Sequence, residues 1–540
     1  MQNYTEKQHG KEPGFVKTET GVFIGINEVI HMLQIKDLTI LHKRDGKVLL
    51  QNFSFTLGAG DRAVLIGEEG NGKSTLLKLI YNQELVKEYV EYSGEIGKQG
   101  LHLGYLAQEL SQLEKALTIY DFCCEAQGFI ESTPKELYRI AVSLGLDLEF
   151  FYSDQQVASL SGGEKVKLQM ARILMGEPDI LLLDEPSNDI DIQTLEWMER
   201  FMNDCGLPIL YVSHDETLIE RTANIIIHIE QVRRKTLPRY TIARMPYRQY
   251  VEQRLAQLSH QTQMARKEKA EWEKQMEKFR QIQSKVEHQQ NVISRGDPHG
   301  GRLLKKKMQS VKSMGRRFER QSEEMTQLPD VEEVILAKFP ETTVIPAGKV
   351  ILEAEWEPLA VQGRILAPRV SLKVVGPEKI CIVGRNGVGK TTLLRTIAER
   401  LLSRKDIKVA YMPQDYNECL DSQLTPVEYL AESGRKEEIT QARTFLGSMK
   451  YTPFEMEHRI GELSGGQRAK LLFLKMILQE CNVLILDEPT RNFSPLSNPV
   501  IREVLRNYGG TIISVSHDRK YIEEVCDTVY DLTNQGLMRR

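Results

Sequence analysis

The chain has 540 residues, 41% of them apolar and 27% charged, which is too long for one hydrophobic core and too rich in core-forming residues for a disordered chain. Its 71 Lys and Arg against 75 Asp and Glu leave a net charge of −4, excluding a uniformly basic nucleic-acid binder, though a local patch can hide inside that sum. No run approaches the roughly 20 consecutive apolar residues of a membrane helix. Seven scattered cysteines contain no CxxC pair, so neither a disulfide framework nor a zinc site is expected, and a reducing cytoplasm fits.

Residues 1–31 lack the cationic start and apolar core of a secretion signal and read as a flexible leader. Met32 opens the strand pattern MLQIKDLTI. The apolar strand RAVLI then leads into GEEGNGKST at 67–75 and a run of helical leucines. YLAQE follows with Gln108, then LSGGEK at 160–165, ILLLDEPS at 180–187 and VSHD at 212–215. The same words return in the same order: KICIV, GRNGVGKTT at 384–392, YMPQD with Gln414, LSGGQR at 463–468, VLILDEPT at 483–490 and VSHD at 515–518. Ser161 to Asp184 and Ser464 to Asp487 both span 23 residues; Asp184 to His214 and Asp487 to His517 both span 30. Two copies of one α/β nucleotide-binding domain therefore lie in tandem, over residues 32–244 and 331–540, with a linker at 245–330.

GxxxxGK[ST] is a phosphate cradle, in which glycines allow the tight turn, backbone N–H groups face the anion and the lysine adds a point charge. The first comprises Gly67, Glu68, Glu69, Gly70, Asn71, Gly72, Lys73, Ser74 and Thr75; the second comprises Gly384, Arg385, Asn386, Gly387, Val388, Gly389, Lys390, Thr391 and Thr392. The hydroxyls of Ser74 and Thr391, with Asp184 and Asp487 at the ends of buried strands, are the expected Mg²⁺ ligands. Glu185 and Glu488 are placed to polarise the attacking water, and His214 and His517 to contact the γ-phosphate. Gln108 and Gln414 share a Tyr-x-x frame, which favours a metal- or water-sensing role.

The linker carries 18 Lys and Arg against 11 Asp and Glu, a net of +7 that leaves the remainder at −11. Val251, Leu255, Leu258, Trp272, Met276, Phe279, Ile282 and Val286 recur at helical steps, as do Leu303, Met308, Val311 and Phe318. Between them SRGDPHGG, with Pro298 and three glycines, is expected to break the helix. An antiparallel hairpin with its tip near 290–302 follows, and about 40 residues of helix would extend roughly 60 Å. Arg302, Lys305, Lys306, Lys307, Lys312, Arg316, Arg317 and Arg320, opposed by Glu319 alone, give one strongly positive face. With Arg295, they are the candidate RNA contacts.

Cradle, LSGG, apolar-DEP and SHD in this order resemble the ATP-binding-cassette ATPases. The resemblance implies that each LSGG caps nucleotide held by the opposite domain. Lys73, Ser74, Asp184, Glu185 and His214 would then pair with Ser464, Gly465 and Gly466; Lys390, Thr391, Asp487, Glu488 and His517 would pair with Ser161, Gly162 and Gly163. ATP and Mg²⁺ are the implied cofactors. Tandem cassettes with a charged helical linker look like the ABC-F subfamily, whose members act on ribosomes. The subfamily's TNHLD segment reads SNDID at 187–191 but TRNFS at 490–494, losing the final aspartate in the second copy. The adenine-stacking aromatic is also replaced, by Arg44 and Val361.

The 53 residues from Gln108 to Ser161 match the 50 from Gln414 to Ser464, so the extra arm some translation factors of the group carry is absent. An armless body with a long linker looks like the antibiotic-resistance ribosomal protection proteins. This implies a cytoplasmic monomer whose cassettes close intramolecularly. It would enter by the transfer-RNA exit site, meet large-subunit ribosomal RNA and P-site transfer RNA, and oppose lincosamides, streptogramins A and pleuromutilins without touching a membrane. The alternatives are a general translation factor for stalled ribosomes and the ATPase subunit of an exporter. A DNA-directed ATPase is disfavoured because no zinc-type cysteines accompany the cassettes.

Overall fold

The computed structural model describes residues 15–17, 23–25, 32–98, 100–232, 237–292, 298–324, 339–340, 343–361 and 364–540. Within the expected leader, Phe15–Lys17 and Phe23–Gly25 pair as two short antiparallel strands; the rest of that expectation lies outside the described residues. The chain divides into two compact units, one formed by residues 1–247 with 332–540, the other by 248–331.

In the first unit each copy builds the same six-stranded sheet. In chain position the first runs Leu103–Leu106, Ile180–Asp184, Ile209–Val212, Arg62–Ile66, Ile225–Gln231 and Leu237–Ala243 across the sheet. The second runs Val409–Met412, Val483–Asp487, Thr511–Val515, Lys379–Val383, Thr528–Thr533 and Gly536–Arg539 in the equivalent order. Five strands are parallel, and only the last is added antiparallel. Ile180–Asp184 and Val483–Asp487 are buried along their whole length, as expected for parallel strands covered on both faces. This order places the cradle strand between the two strands that end in the acid pair and in SHD on one side, and the chain's return on the other. The loops that carry chemistry thus emerge together at the carboxyl ends of parallel strands.

The helices that follow are positioned by local signals. Ser161 and Ser464 cap the signature helices Gly162–Met175 and Gly465–Leu478, each through a reciprocal box with Glu164 or Gln467.

The second unit contains helices Tyr247–Val292 and Pro298–Glu324, of 46 and 27 residues, or about 70 and 40 Å of helix. Phe279 of the first packs edge-on against Phe318 of the second, with ring centroids 5.5 Å apart. A Cβ at Gly315 would lie 3.3 Å from the Phe279 ring, so the glycine admits that ring between the helices. Two expectations are corrected here. Helix does not stop through Pro298 and its glycines but starts at Pro298, because proline has a suitable φ and needs no donor in a first turn. Leu255, Ile282 and Leu303 do not join the buried stripe: they stay exposed at 61%, 44% and 51%. The stripe instead passes through Ala265, whose small side chain the apolar count overlooked. Residues 293–297, at the expected tip and including Arg295, lie outside the described residues.

Candidate functional site

Both cradles turn on glycines in conformations closed to other residues. Gly67 and Gly384 have φ of 145° and 146°, and a Cβ on either would sit 2.2 Å from the Ile229 carbonyl oxygen or 2.5 Å from that of Leu532. Gly72 and Gly389, also at positive φ, start the helices Lys73–Tyr81 and Lys390–Leu402. Both lysines fold back over their loops: Lys73 Nζ donates to the carbonyls of Gly67 and Glu68 at 2.9 and 3.0 Å, and Lys390 Nζ to those of Gly384 and Arg385 at 2.8 and 3.0 Å. Asn71 is tied down separately, donating to the Ile229 carbonyl at 3.1 Å. Gly70 and Gly387 have open space where a Cβ would be, Val388 packs on the second cassette's core, Thr75 bonds Tyr89, and Thr392 lines a cavity described below. Leu49 and Leu366 lie against Gly72 and Gly389.

Strand ends bring the acids to the cradles. Ser74 Oγ donates to Asp184 Oδ1 at 2.7 Å, and Tyr105 Oη to Oδ2 at 3.3 Å; Thr391 bonds Asp487 in the same way. Burial raises both aspartate pKa values. The next residues, Glu185 and Glu488, share a left-handed φ of 51°, strain that places each carboxylate beside its histidine. Each histidine's backbone N–H donates to its glutamate at 3.2 Å.

The side chains then diverge. His214 Nε2 lies 3.0 Å from Glu185 Oε1, and its Nδ1 donates to the Phe493 carbonyl of the other cassette at 2.6 Å. Burial would raise Glu185, but the His214 and Lys73 charges prevail and its pKa is lowered. In the second copy the separation widens to 3.8 Å. Burial, with Asp487 alongside, pushes Glu488 up to about 8, while burial and Lys390 push His517 down to about 4.

The cassettes meet through the motifs themselves. In the first composite site the Gly466 N–H donates to Glu69 and Lys470 Nζ lies 3.4 Å from Glu68 Oε1, so the second signature helix stands over the first cradle. Ser464 Oγ is engaged in its capping box, and Glu69 would crowd a Cβ on Gly465. In the second composite site Asn386 Nδ2 donates to the Asp189 carbonyl, and Gln414 Nε2 to Asp189 Oδ1 at 3.3 Å. Arg491 Nη1 pairs with the same carboxylate at 3.0 Å. Gly162 lies against Asn386, Gly163 against Thr194, and the Ser161 hydroxyl bonds Glu164. A cavity of about 890 Å³ is lined by Asn386, Lys390, Thr391, Glu488 and His517 from one cassette and Gly162 from the other. Exposed Gln108 lines this cavity with the second cradle; its neighbour Tyr105 is the one that bonds Asp184. Asp191, kept only in the first copy, caps the helix Ile192–Asp204 and acts electrostatically on Lys390 and His517 across the interface.

The donor set suits Mg²⁺. Asp487 Oδ2 is buried with no hydrogen-bond partner among the described residues, an acceptor that a cation or its bound water would satisfy. Mg²⁺ held by one carboxylate, a hydroxyl, phosphates and water needs no cluster of three protein ligands, and none occurs among the described residues. Asp189, Tyr105 and the Phe493 carbonyl were missed from sequence. Only Tyr105 had a signal, the Tyr-x-x-Gln frame common to both copies.

Phosphate loops facing signature helices across two like domains define a tandem ATP-binding-cassette ATPase. Residues 50–188 and 368–491 each match the ABC transporter family. The chain is similar to ABC transporter F family member 2 of Arabidopsis thaliana, 26% identical over 92% of this chain and 76% of that protein. It is also 27% identical to ATP-binding protein Uup of Escherichia coli strain K12, over 91% of this chain and 79% of that one. It shares its fold with the archaeal ribosome recycling factor aABCE1, solved with ribosomal stalk protein aP1. That likeness has a TM-score of 0.57 and 17% identity, covering 93% and 90% of the two chains. The chain thus carries two segments similar to the ABC transporter family, and F-family proteins are among its relatives. Among the described residues no helix is long and apolar enough to cross a membrane.

Proposed function

We propose that the chain is an ATP-gated ribosome-binding factor that protects the ribosome from antibiotics acting at the peptidyl-transferase centre. The observation that carries this reading is the helix Pro298–Glu324, on which Arg302, Lys305, Lys306, Lys307, Lys312, Arg316, Arg317 and Arg320 are all exposed. A helix with one basic face recognises RNA through backbone phosphates, by shape rather than base sequence. The shared fold with aABCE1, a ribosome recycling factor, supports a ribosomal destination, as does the resemblance to ABC-F proteins. In this reading residues 32–244 and 331–540 are the ATPase domains and 245–330 the part inserted beside large-subunit ribosomal RNA and P-site transfer RNA. Entry is from the transfer-RNA exit side. The protein works in the cytoplasm as a monomer.

The chemistry is in-line phosphoryl transfer to water. Mg²⁺, when bound, neutralises charge on the β- and γ-phosphates. Lys73 and Lys390 exchange their carbonyl partners for phosphate oxygens. Ser74, Thr391, Asp184 and Asp487 orient the metal, Glu185 and Glu488 orient and deprotonate water, and His214 and His517 hold the γ-phosphate. The signature residues 161–163 and 464–466 complete the opposite sites. ATP thus keeps the cassettes together and its hydrolysis releases them.

Expression in a susceptible host should raise the inhibitory concentration of at least one lincosamide, streptogramin A or pleuromutilin. Replacing Lys305, Lys306 and Lys307 with Glu should abolish the rise while leaving nucleotide binding intact. An unchanged inhibitory concentration for every drug class, with ribosome binding retained, would favour the general translation factor.

A further inference from the structure

The two cradles differ most where they should be most alike. Aligned on their glycines, Glu68 and Glu69 of the first stand where Arg385 and Asn386 stand in the second. These side chains also do different things. Asn386 donates to the Asp189 carbonyl, leaving Gly162 beside a cavity that the second cradle lines. Glu69 instead accepts from the Gly466 N–H, at the start of the second signature helix, and its carboxylate oxygens lie about where a Cβ on Gly465 would touch them. Glu68 adds an ion pair to Lys470, one turn further along that helix, with both side chains largely buried. A helix N-terminus with glycine N–H groups is an anion site; in the first composite site an anion of the chain itself is on it.

We propose that Glu69 is the specificity-determining residue of the first composite site: its carboxylate stands in for a γ-phosphate on the second signature motif. This site therefore accepts a nucleoside diphosphate without rearrangement, and a triphosphate only by displacing Glu69. Glu68 works in the same direction, since a like charge beside the cradle opposes the more highly charged ligand more strongly. The second site, with Asn386 and Arg385 in these places, keeps the preference for triphosphate and gates closure. The inference rests on the pairing of cradle and opposite signature, and is independent of any ribosomal role.

Lys390→Ala disables the second cradle, so titration with ribose-labelled fluorescent ADP and ATP in Mg²⁺ reads the first alone. ADP should bind at least as tightly as ATP. Adding Glu69→Asn, the residue the second copy uses, should shift the ratio of dissociation constants toward ATP by about tenfold. Glu69→Gln keeps the shape and an acceptor oxygen but not the charge, and should fall between. A ratio that Glu69→Asn leaves within about twofold, or a clear ATP preference already in Lys390→Ala, overturns the proposal; so does the absence of ADP binding to Lys390→Ala with folding intact. Ser464→Arg in the Glu69→Asn background should erase the gained ATP preference. If it does not while Glu69→Asn still shifts the ratio, the pairing of cradle with opposite signature is what has failed.

Discussion

Removing Arg502 should cost the cassettes more than any other single truncation at their contact. Its guanidinium reaches from the helix Asn498–Arg506 to Glu216 of the first cassette, with Nη1 to Oε1 at 2.6 Å and Nη2 to Oε2 at 3.3 Å. The two side chains are only 3% and 4% exposed. Burial raises the Glu216 pKa even with Arg502 opposing it, while burial of Arg502 is outweighed by Glu216 and Glu524, which hold its guanidinium charged. Arg502→Met would leave a buried carboxylate with only Lys520, at 3.2 Å, still paired to it among the described residues. The expected loss is about 3 kcal/mol, at the low end for breaking a buried pair because Lys520 persists. Glu216→Gln with Arg502→Met removes both charges and should recover most of that loss. Urea unfolding followed in variants retaining only Trp197 or only Trp356 reports each cassette separately. A single-variant cost below about 0.5 kcal/mol, or a double variant worse than Arg502→Met alone, would refute the reasoning.

Burial lifts the Asp215 pKa from 3.8 to about 6 against the pull of Arg519. The folded state then holds this proton more tightly, so its stabilising contribution is full below pH 4 and lost as pH rises through 6. Asp215→Asn should flatten that dependence, gaining on the parent between pH 4.5 and 7 by at most about 3 kcal/mol in urea titrations. Gly67→Ala must place a methyl 2.2 Å from a carbonyl oxygen, whereas Gly70→Ala meets nothing within 4 Å. The first should abolish nucleotide binding at that cradle and cost more than about 2 kcal/mol; the second should cost about 1 kcal/mol of left-handed backbone strain. Phe279→Ala removes the ring packed on Phe318 and should loosen the hairpin by about 2 kcal/mol, seen as faster tryptic cleavage within 248–324.

The doubled architecture was readable because each motif couples a strand to a loop, and repetition at identical spacing multiplies weak signals. Apolar runs such as VLILD became fully buried strands, and LSGG became a capped helix start, as local chemistry requires. What escaped notice lies in contacts between distant segments. Arg502 and Glu216 are 286 positions apart and look like ordinary helix charges. Nothing local marks Asp189 as the acceptor for Asn386, Gln414 and Arg491. Pro298 misled because a proline that ends one helix and one that begins the next look alike in sequence. Glu68 and Glu69 were plainly visible inside the cradle motif, yet their meaning needed the opposing helix.

The most direct test of the central claim is sedimentation of the Glu185→Gln, Glu488→Gln double variant with ribosomes on sucrose gradients. With hydrolysis stalled and closure intact, the protein should comigrate with ribosomes in ATP and remain at the top without nucleotide. Equal distributions under both conditions, with ATP binding retained, would contradict nucleotide-gated attachment.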